Sequence, residues 1–336
     1  WLDLEPSTSV DTETSIKILS DVEFTLNGIY STMQSSDAYS GRLVYYGDVT
    51  GDDMQAVSST KRVANYYRFN FTKDDNPSSH WSYLYSIIQN CNLILMNIDK
   101  LVIDEDDKAY RDDLKGEALA IRGLALFDLT RIFGYPYLKD NGASLGVPII
   151  EGLSTIDSKP TRNTVAQCYT KIIDDLTQSL SLLGEKFNKG KINKWGAMVL
   201  LSRVYLYKGE NANALKMASD AIIGAEKNKY ALWTNEDYPT AWGEDASASK
   251  PGEVLFEIVN LTTDSPGKES MGYLNSYDGY DDMCITCSFY QFLKEDPKDI
   301  RLKLLSFDKK YYAYVNKYQP QREENIEDAN IPLIRL

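Results

Sequence analysis

Residues 114–137 read L-K-G-E-A-L-A-I-R-G-L-A-L-F-D-L-T-R-I-F-G-Y-P-Y, and this stretch decides the fold. Apolar side chains recur there at steps of three and four residues, which is the spacing of one face of an α-helix. The stripe comprises Leu114, Ala118, Ile121, Ala125, Leu129 and Ile132. A second apolar stripe widens this face almost all round, so we predict a helix that is buried on most sides. Gly134 is expected to end it in a left-handed conformation, and Pro136 prevents it from continuing.

Three charged residues, Arg122, Asp128 and Arg131, interrupt this apolar surface. One hypothesis is a polar functional site. The favoured hypothesis is an internal network, because a buried charge needs a partner to offset its desolvation. We expect Asp128 to pair with Arg131 three residues on, and Arg122 to bond loop carbonyls.

Composition bounds the class of protein. The 336 residues are 43% hydrophobic and 12% aromatic, enough for one large domain or two ordinary ones with a sizeable core. The formal net charge of −13 argues against nucleic-acid backbones and anionic membrane surfaces as direct ligands. No run of about 18 apolar residues exists, so no segment is predicted to span a membrane.

Further helices are predicted on either side of this stretch. Thr164-x-x-Gln167 is a capping-box pattern that opens a helix. In residues 193–225, small and aromatic residues fall at the offsets of one tetratricopeptide helix hairpin, a repeat of about 34 residues. We therefore predict a mostly α fold, with a helical scaffold of tetratricopeptide-like hairpins over residues 14–227.

The composition and periodicity of the sequence change after residue 228. Aromatic residues stand there among Gly, Asp, Asn and Ser with little periodicity, and residues 253–259 alternate like a strand. Tyrosine is abundant throughout, with 24 residues against 10 Phe. Its flat apolar ring and hydroxyl suit both carbohydrate stacking and packing between helices. We predict that residues 228–336 form a loop-rich, short-stranded region carrying the ligand face.

Several segments of the chain resemble a known family. Residues 122–136, R-G-L-A-L-F-D-L-T-R-I-F-G-Y-P, resemble the signature helix of the SusD/RagB family, the surface glycan-binding lipoproteins of Gram-negative outer membranes. Trp81, Tyr85, Ile88 and Asn92 resemble the W-x-x-x-Y-x-x-I-x-x-x-N segment of that family.

The resemblance implies a single SusD-like domain over residues 1–336 that binds glycans or oligosaccharides and catalyses no reaction. It implies a TonB-dependent outer-membrane transporter of the SusC type as partner, and a lipid-anchored, cell-surface location. Residues 1–6 resemble the segment that follows the lipidated cysteine of the family, and that cysteine is absent from this chain. Family members continue past the segment that matches residues 330–336 into further helices, so we expect apolar helical faces to lie open here.

The ligand-binding prediction rests on aromatic residues that no helical or strand period requires. Trp242, Tyr273, Tyr277 and Tyr280 stand among Gly, Pro, Asn and Asp. Such a ring either covers the core or stacks on a sugar whose hydroxyls bond nearby carboxylates.

Residues 45–54 are expected to form a loop that resembles the Gly- and acid-rich loop near the ligand face of the family. From it we add Tyr46, Asp52 and Asp53 as polar neighbours in the site. The alternative is turn chemistry, which the same Asp and Gly residues favour.

No catalytic residue, metal site or cofactor is predicted. Cys284-x-x-Cys287 lacks the second ligand pair that structural zinc needs, and His80 is the one histidine. A local disulfide or two buried thiols both fit this pair. Two other functions stay open: a glycoside hydrolase using two carboxylates, and a tetratricopeptide-type protein-interaction scaffold without sugar binding.

Overall fold

The computed structural model describes residues 15–72, 78–155, 157–185, 187–243, 252–261, 263–310, 312–318 and 329–336. Residues 1–6, which resemble the start of the mature family members, lie outside these ranges. The chain divides into two compact units. The helical unit comprises Trp1–Thr32, Leu84–Phe187 and Lys191–Asn228, and the mixed unit comprises Met33–Tyr83, Asn188–Gly190 and Lys229–Leu336.

The helices and strands of the described ranges follow in chain order. They are α1 (Leu19–Met33), α2 (Arg42–Thr50), β1 (Met54–Ala56), α3 (Ala64–Tyr67), α4 (Ser78–Asn97), α5 (Lys108–Phe133), α6 (Val165–Leu182), α7 (Lys194–Lys208), α8 (Asn211–Lys227), β2 (Val254–Ile258), α9 (Met271–Leu274), β3 (Met283–Ile285), α10 (Cys287–Lys294), β4 (Leu305–Phe307), β5 (Ala313–Val315) and β6 (Ile331–Arg335). The predicted mostly α class, with short-stranded elaborations, is confirmed.

Helix α5 is the core of the helical unit. Its residues Ile121, Ala125 and Leu129 are at most 1% exposed, as the apolar stripe predicts. The expected left-handed Gly134 is wrong, because its backbone is extended, with φ −108° and ψ 170°. Glycine is required there for space, since an added Cβ would lie 2.7 Å from the Thr130 carbonyl oxygen.

A buried polar network ties α4, α5 and α6 together. Asp128 pairs with Arg131, as expected. The expectation that Arg122 bonds loop carbonyls is wrong. The Arg122 guanidinium donates to both carboxylate oxygens of Asp175, at 2.8 and 2.7 Å, and to Asn92 Oδ1 at 2.8 Å. The loop is held instead by Asn92, whose Nδ2 donates to the carbonyls of Ile150 and Gly152.

The capping box of α6 is present as predicted, with Thr164 and Gln167 bonding each other's backbone N–H. Helix α5 packs on α6, α6 on α7, and α7 on α8. The α7–α8 pair is the predicted hairpin, and Gly209 turns the chain between the two helices with a left-handed φ of 83°.

One face of α8 is apolar and open. Leu215, Ile222 and Ile223 are exposed by 70, 44 and 53%. The prediction that further helices cover such faces in longer family members stays a prediction.

The mixed unit contains three two-stranded antiparallel sheets, which pair β1 with β3, β2 with β6, and β4 with β5. The strand predicted over residues 253–259 is β2, and all its residues are buried. Strand β3 also packs against β5. These pairings bring segments that are far apart in sequence to one region of the unit.

The expected loop over residues 45–54 is wrong for most of its length. Residues Arg42–Thr50 form α2, in which Tyr45 and Val49 are buried one helical turn apart. Gly47 does not interrupt this helix, and nothing lies within 4 Å of where its Cβ would be. The buried Tyr45–Val49 face outweighs the turn preference of glycine and aspartate.

The cysteine pair fits neither expected alternative. Both Cys284 and Cys287 are free thiols, and only Cys284 is buried. Cys284 lies in β3, where burial raises the pKa of its thiol to about 11. Cys287 begins α10 and is exposed.

Candidate functional site

All seven predicted ligand-binding residues lie in the mixed unit. Two of them form a surface pair: the rings of Tyr273 and Tyr280 meet edge to face, with centroids 5.0 Å apart. The Arg62 guanidinium lies over the Tyr280 ring, 4.1 Å from its centroid. Tyr277 is 48% exposed and Tyr280 is 36% exposed. Tyrosine ring surface is therefore available to a ligand here.

Backbone contacts fix the segment of residues 273–280, the tyrosine loop. Tyr280 N–H donates to the Tyr273 carbonyl at 3.0 Å. Gly279 permits the close approach, because an added Cβ would lie 2.0 Å from that same carbonyl oxygen. Arg62 is itself held by ion pairs with Asp282 at 3.0 Å and Glu269 at 3.1 Å. The positions of the Tyr273 and Tyr280 rings thus follow from the backbone contacts of this turn and from the ion pairs of Arg62.

Trp242 is placed differently from these tyrosines. It is 3% exposed and packs against Trp233 and Tyr238, with ring centroids 5.1 and 5.5 Å away. The charged groups of Lys317 and Arg335 each lie 4.5 Å from the centroid of its ring. Cations and aromatic rings thus surround the indole. Trp242 is buried in an aromatic cluster although its segment has no helical or strand periodicity.

The three predicted residues from the early segment also differ in exposure. Tyr46 is half-buried beside Tyr66 and His80, and burial raises its pKa. Asp52 and Asp53 are exposed, and Asp52 has a left-handed φ of 67°. Their carbonyls accept hydrogen bonds from Thr286, the N-cap of α10, which fixes this turn.

A cavity of about 240 Å³ lies within the mixed unit. Apolar side chains supply much of its wall, including Met54, Ile285, Phe289, Leu293, Leu304 and Val315. Four polar residues among those that line it are Asp48, Asp53, Asn275 and Lys317. Of the predicted site residues, Asp53 lines this cavity directly, and the tyrosine loop contributes Asn275 to it.

The cavity holds two half-buried charges of opposite sign. Burial raises the pKa of the Asp48 carboxyl, and the Lys317 charge partly opposes this effect. Burial lowers the pKa of the Lys317 ammonium, which Asp48 in turn partly opposes. In the described ranges, neither side chain forms a hydrogen bond or an ion pair within 4.0 Å.

Sequence reasoning missed most of this cavity. Asp48 sits in the last turn of α2, Asn275 follows α9, and Lys317 follows β5. No local pattern connects these positions, because only the folded mixed unit brings them together. The acidic residues of the loop expected over residues 45–54 were the one usable signal, and they favoured turn chemistry over a site.

The described part of the chain contains neither a metal-ligand cluster nor a membrane-spanning helix. No group of three or more His, Cys, Asp or Glu side chains there is arranged to hold a metal ion. None of the described helices has both the length and the apolar character that crossing a bilayer requires.

Comparison with solved structures shows extensive similarity. A sugar-binding protein from Bacteroides vulgatus ATCC 8482 is 83% identical, with a TM-score of 0.94 over 96% of this chain and 72% of that one. A SusD superfamily protein from the same organism is 35% identical, with a TM-score of 0.89 over 95% of this chain and 73% of that one. A laminarin-binding SusD-like protein, 19% identical with a TM-score of 0.75, shares the fold.

Curated relatives match over shorter stretches. A SusD-like protein from Bacteroides ovatus is 27% identical over 135 residues, and SusD-like protein P38 from Formosa agariphila is 24% identical over 241 residues. The chain spans 23 and 43% of the lengths of these two relatives. A family model described as starch-binding and associating with the outer membrane matches residues 1–206. With more than half of its length matched by this model and near-identical architecture in the solved relatives, the chain belongs to the SusD-like family.

Proposed function

We propose that this chain binds a glycan or oligosaccharide at the cell surface. One observation carries the proposal: the mixed unit has an apolar-walled cavity whose Asp48 and Lys317 charges form no hydrogen bond or ion pair with the described residues, and it also exposes tyrosine rings. A sugar has apolar ring faces and many hydroxyls, so it needs this combination of surfaces. The names of the solved relatives support the same class of ligand.

The seven predicted residues contribute to binding in different ways. Tyr277 and Tyr280 offer exposed rings, with Tyr273 supporting Tyr280 from the side. Asp53 borders the cavity, and Asp52 lies beside it in the same turn. For the two remaining rings we propose indirect roles: Trp242 positions Lys317, and Tyr46 packs against Tyr66.

Affinity electrophoresis through gels that contain different polysaccharides tests this proposal. We expect the wild-type protein to be retarded by at least one polysaccharide. Replacing both Tyr277 and Tyr280 with alanine should weaken that retention and leave the helical circular dichroism unchanged. Tyr67→Ala is the matched control, because Tyr67 is 38% exposed on α3 and lies outside the proposed site. Loss of glycan binding in the control, or full retention in the double variant, would contradict the site.

We further propose that the protein delivers its glycan to a TonB-dependent transporter of the SusC type and is lipid-anchored to the outer membrane. The description of the family as associating with the outer membrane supports this location. Co-expression of full-length protein with a SusC-type transporter and co-purification from outer membranes tests the partnership. If the protein binds no glycan but still binds such a transporter tightly, the interaction-scaffold alternative is favoured.

One observation favours the hydrolase alternative, because Asp48 and Asp53 both line the cavity. We propose that neither acts in catalysis and that the protein releases no product. Incubating the protein with the polysaccharide that retains it, followed by a reducing-end assay, decides between them. Release that Asp48→Asn abolishes would establish an enzyme.

A further inference from the structure

Three polar groups of the cavity have hydrogen-bonding capacity that no described residue fills. The Asp48 carboxylate and the Lys317 ammonium accept or donate no hydrogen bond there. The third is Asn275, whose side chain is 4% exposed. Its Nδ2 donates to the Val315 carbonyl at 2.8 Å, which fixes the amide orientation, and its Oδ1 accepts no hydrogen bond.

Asn275 Oδ1 is buried without a hydrogen bond, whereas buried polar atoms are nearly always hydrogen-bonded. Asp48 and Lys317 are half-buried, so each charge is partly removed from water with no hydrogen bond from the described residues to replace it. Arg301, another cation of the cavity wall, shows the usual arrangement, since Asp299 binds its guanidinium at 2.6 Å. Asp48, Lys317 and Asn275 line one cavity and retain free hydrogen-bonding capacity, which points to a ligand that completes their hydrogen bonds.

The charges of the cavity constrain that ligand. Asp48 and Lys317 cancel each other, and Asp53 adds a further negative charge at the wall. A carboxylate or sulfate on the ligand would meet two carboxylates and one unpaired cation, the Lys317 ammonium, because Asp299 already neutralises Arg301. A hydroxyl, in contrast, can donate to Asp48 or Asn275 and accept from Lys317. The balance of charge favours an uncharged, hydroxyl-rich ligand.

The volume of the cavity limits its occupant to a single ring. At about 240 Å³ it is smaller than the sites of about 300–1,000 Å³ that enclose drug-sized ligands. The apolar wall suits the ring faces of one sugar, for which Phe289 offers an aromatic surface.

We propose that this cavity binds one uncharged sugar ring of a glycan through Asp48, Lys317 and Asn275, and that it rejects uronic acids and sulfated sugars. This inference rests on the proposed glycan binding and adds the chemical class of the recognised unit. It makes Asp48 a specificity-determining residue, because its charge repels acidic sugars and its oxygens accept from hydroxyls.

Competition in solution tests the inference. Methyl glycosides of glucose, galactose, mannose and xylose are titrated against the polysaccharide that retains the protein, beside methyl glucuronide, methyl galacturonide and methyl glucoside 6-sulfate. We expect at least one neutral glycoside to compete about ten-fold more strongly than every acidic one. Asp48→Asn and Lys317→Met should each weaken neutral competition about ten-fold, which is a loss of about 1.4 kcal/mol.

The two variants should change selectivity in opposite directions. Asp48→Asn should narrow the gap between neutral and acidic glycosides, and Lys317→Met should widen it. Asp220→Asn, which breaks an exposed ion pair with Lys216 on α8, is the matched control and should bind like wild type. Melting temperatures of all variants establish that they are folded.

The outcomes separate the two proposals. If no polysaccharide retains the wild-type protein, both glycan binding and this inference fail. If a polysaccharide is retained but acidic glycosides compete equally, or folded Asp48→Asn and Lys317→Met variants behave like wild type, the inference alone is overturned.

Discussion

Arg122 shows how a signature residue of this chain works at the scale of single side chains. Asp175 is fully buried and lies between Arg122 at 2.7 Å and Lys171 at 3.2 Å. Arg122 also donates to Asn92, which holds the carbonyls of the loop after α5. Tyr85, from the same motif as Asn92, donates to the Pro148 carbonyl of that loop. These motif residues are therefore structural, and they support the scaffold rather than bind ligand.

Arg122→Met should be strongly destabilising. It leaves the Asp175 carboxylate buried beside Lys171 alone, and breaking a buried pair costs about 3–5 kcal/mol. Adding Asp175→Leu should restore much of the loss, because both charges are then absent. Chemical denaturation measures these changes. Lys216→Met on α8 is the control, because loss of its exposed ion pair should change the unfolding free energy by about 0.5 kcal/mol or less. A single variant as stable as wild type would show that the network contributes little.

Glu117 gives the helical unit a dependence of stability on pH. Burial raises the pKa of its carboxyl to about 7, although Lys191 and the hydroxyl of Tyr30 oppose the shift. The pKa of Glu117 in the folded protein thus lies above its value in the unfolded chain. The protonated carboxyl therefore contributes stability to the fold below about pH 4.5, and this contribution is lost as the pH rises through about 7.

Glu117→Gln removes this titration. As the pH rises from acidic to alkaline, the unfolding free energy of wild type should fall by up to about 3 kcal/mol more than that of the variant. This figure corresponds to the rise of the Glu117 pKa from 4.5 to about 7. Denaturation midpoints at about pH 5 and about pH 8 measure the difference. Parallel pH profiles for the two proteins would disprove the assignment.

At the scale of elements, the helical hairpins depend on glycines that allow close approach. An added Cβ at Gly123 of α5 would lie 3.0 Å from Leu176 of α6. In the α7–α8 hairpin the contact is tighter, because a Cβ at Gly224 would lie 2.0 Å from the Trp195 ring. Glycine at these two positions therefore has a direct steric cause.

Gly224→Ala should destabilise the α7–α8 hairpin by about 1–3 kcal/mol, the usual cost of overpacking. Gly28→Ala in α1 is the matched control, because nothing lies within 4 Å of its added Cβ. Alanine is the better helix former, so this control should gain up to about 1 kcal/mol. Thermal unfolding of both variants measures the contrast, and equal effects at the two positions would contradict the steric explanation.

At the scale of the whole molecule, long periodic elements were predictable and the cavity was not. The burial of α5, the Thr164–Gln167 cap and the α7–α8 hairpin follow from local spacing alone. Helix α2 was missed because Gly47 and Asp48 have turn preferences that tertiary burial of Tyr45 and Val49 overrides. Asp48, Asn275 and Lys317 meet only after folding, so no sequence pattern marks them as one site.

Trp242 illustrates the limit of inference from local composition. An aromatic residue without helical or strand period was expected either to cover the core or to face a ligand. The structure buries it among Trp233, Tyr238, Lys317 and Arg335. Irregular segments can thus carry core residues, and the exposed Tyr277 and Tyr280 are the better candidates for direct stacking.

Glycan binding by the mixed unit should depend on pH. Burial raises the pKa of Asp48 and lowers that of Lys317. The other ionisable residues that line the cavity are Asp53, Tyr238, Arg301 and Tyr318. Binding should weaken at low pH as Asp48 is protonated, and at high pH as Lys317 loses its charge. Affinities measured from about pH 4 to about pH 10 should give a bell-shaped profile. In Asp48→Asn the acid limb should disappear, and its persistence would exclude Asp48 as the cause.

The most direct measurement is a crystal structure of this protein soaked with the oligosaccharide that retains it best in affinity gels. We expect density for one sugar ring in the cavity, with hydroxyls within hydrogen-bond distance of Asp48, Lys317 and Asn275. The bound ring should carry no acidic substituent, and the rest of the glycan should lead out of the cavity. An ordered glycan elsewhere on the molecule, with the cavity holding only water, would contradict this expectation.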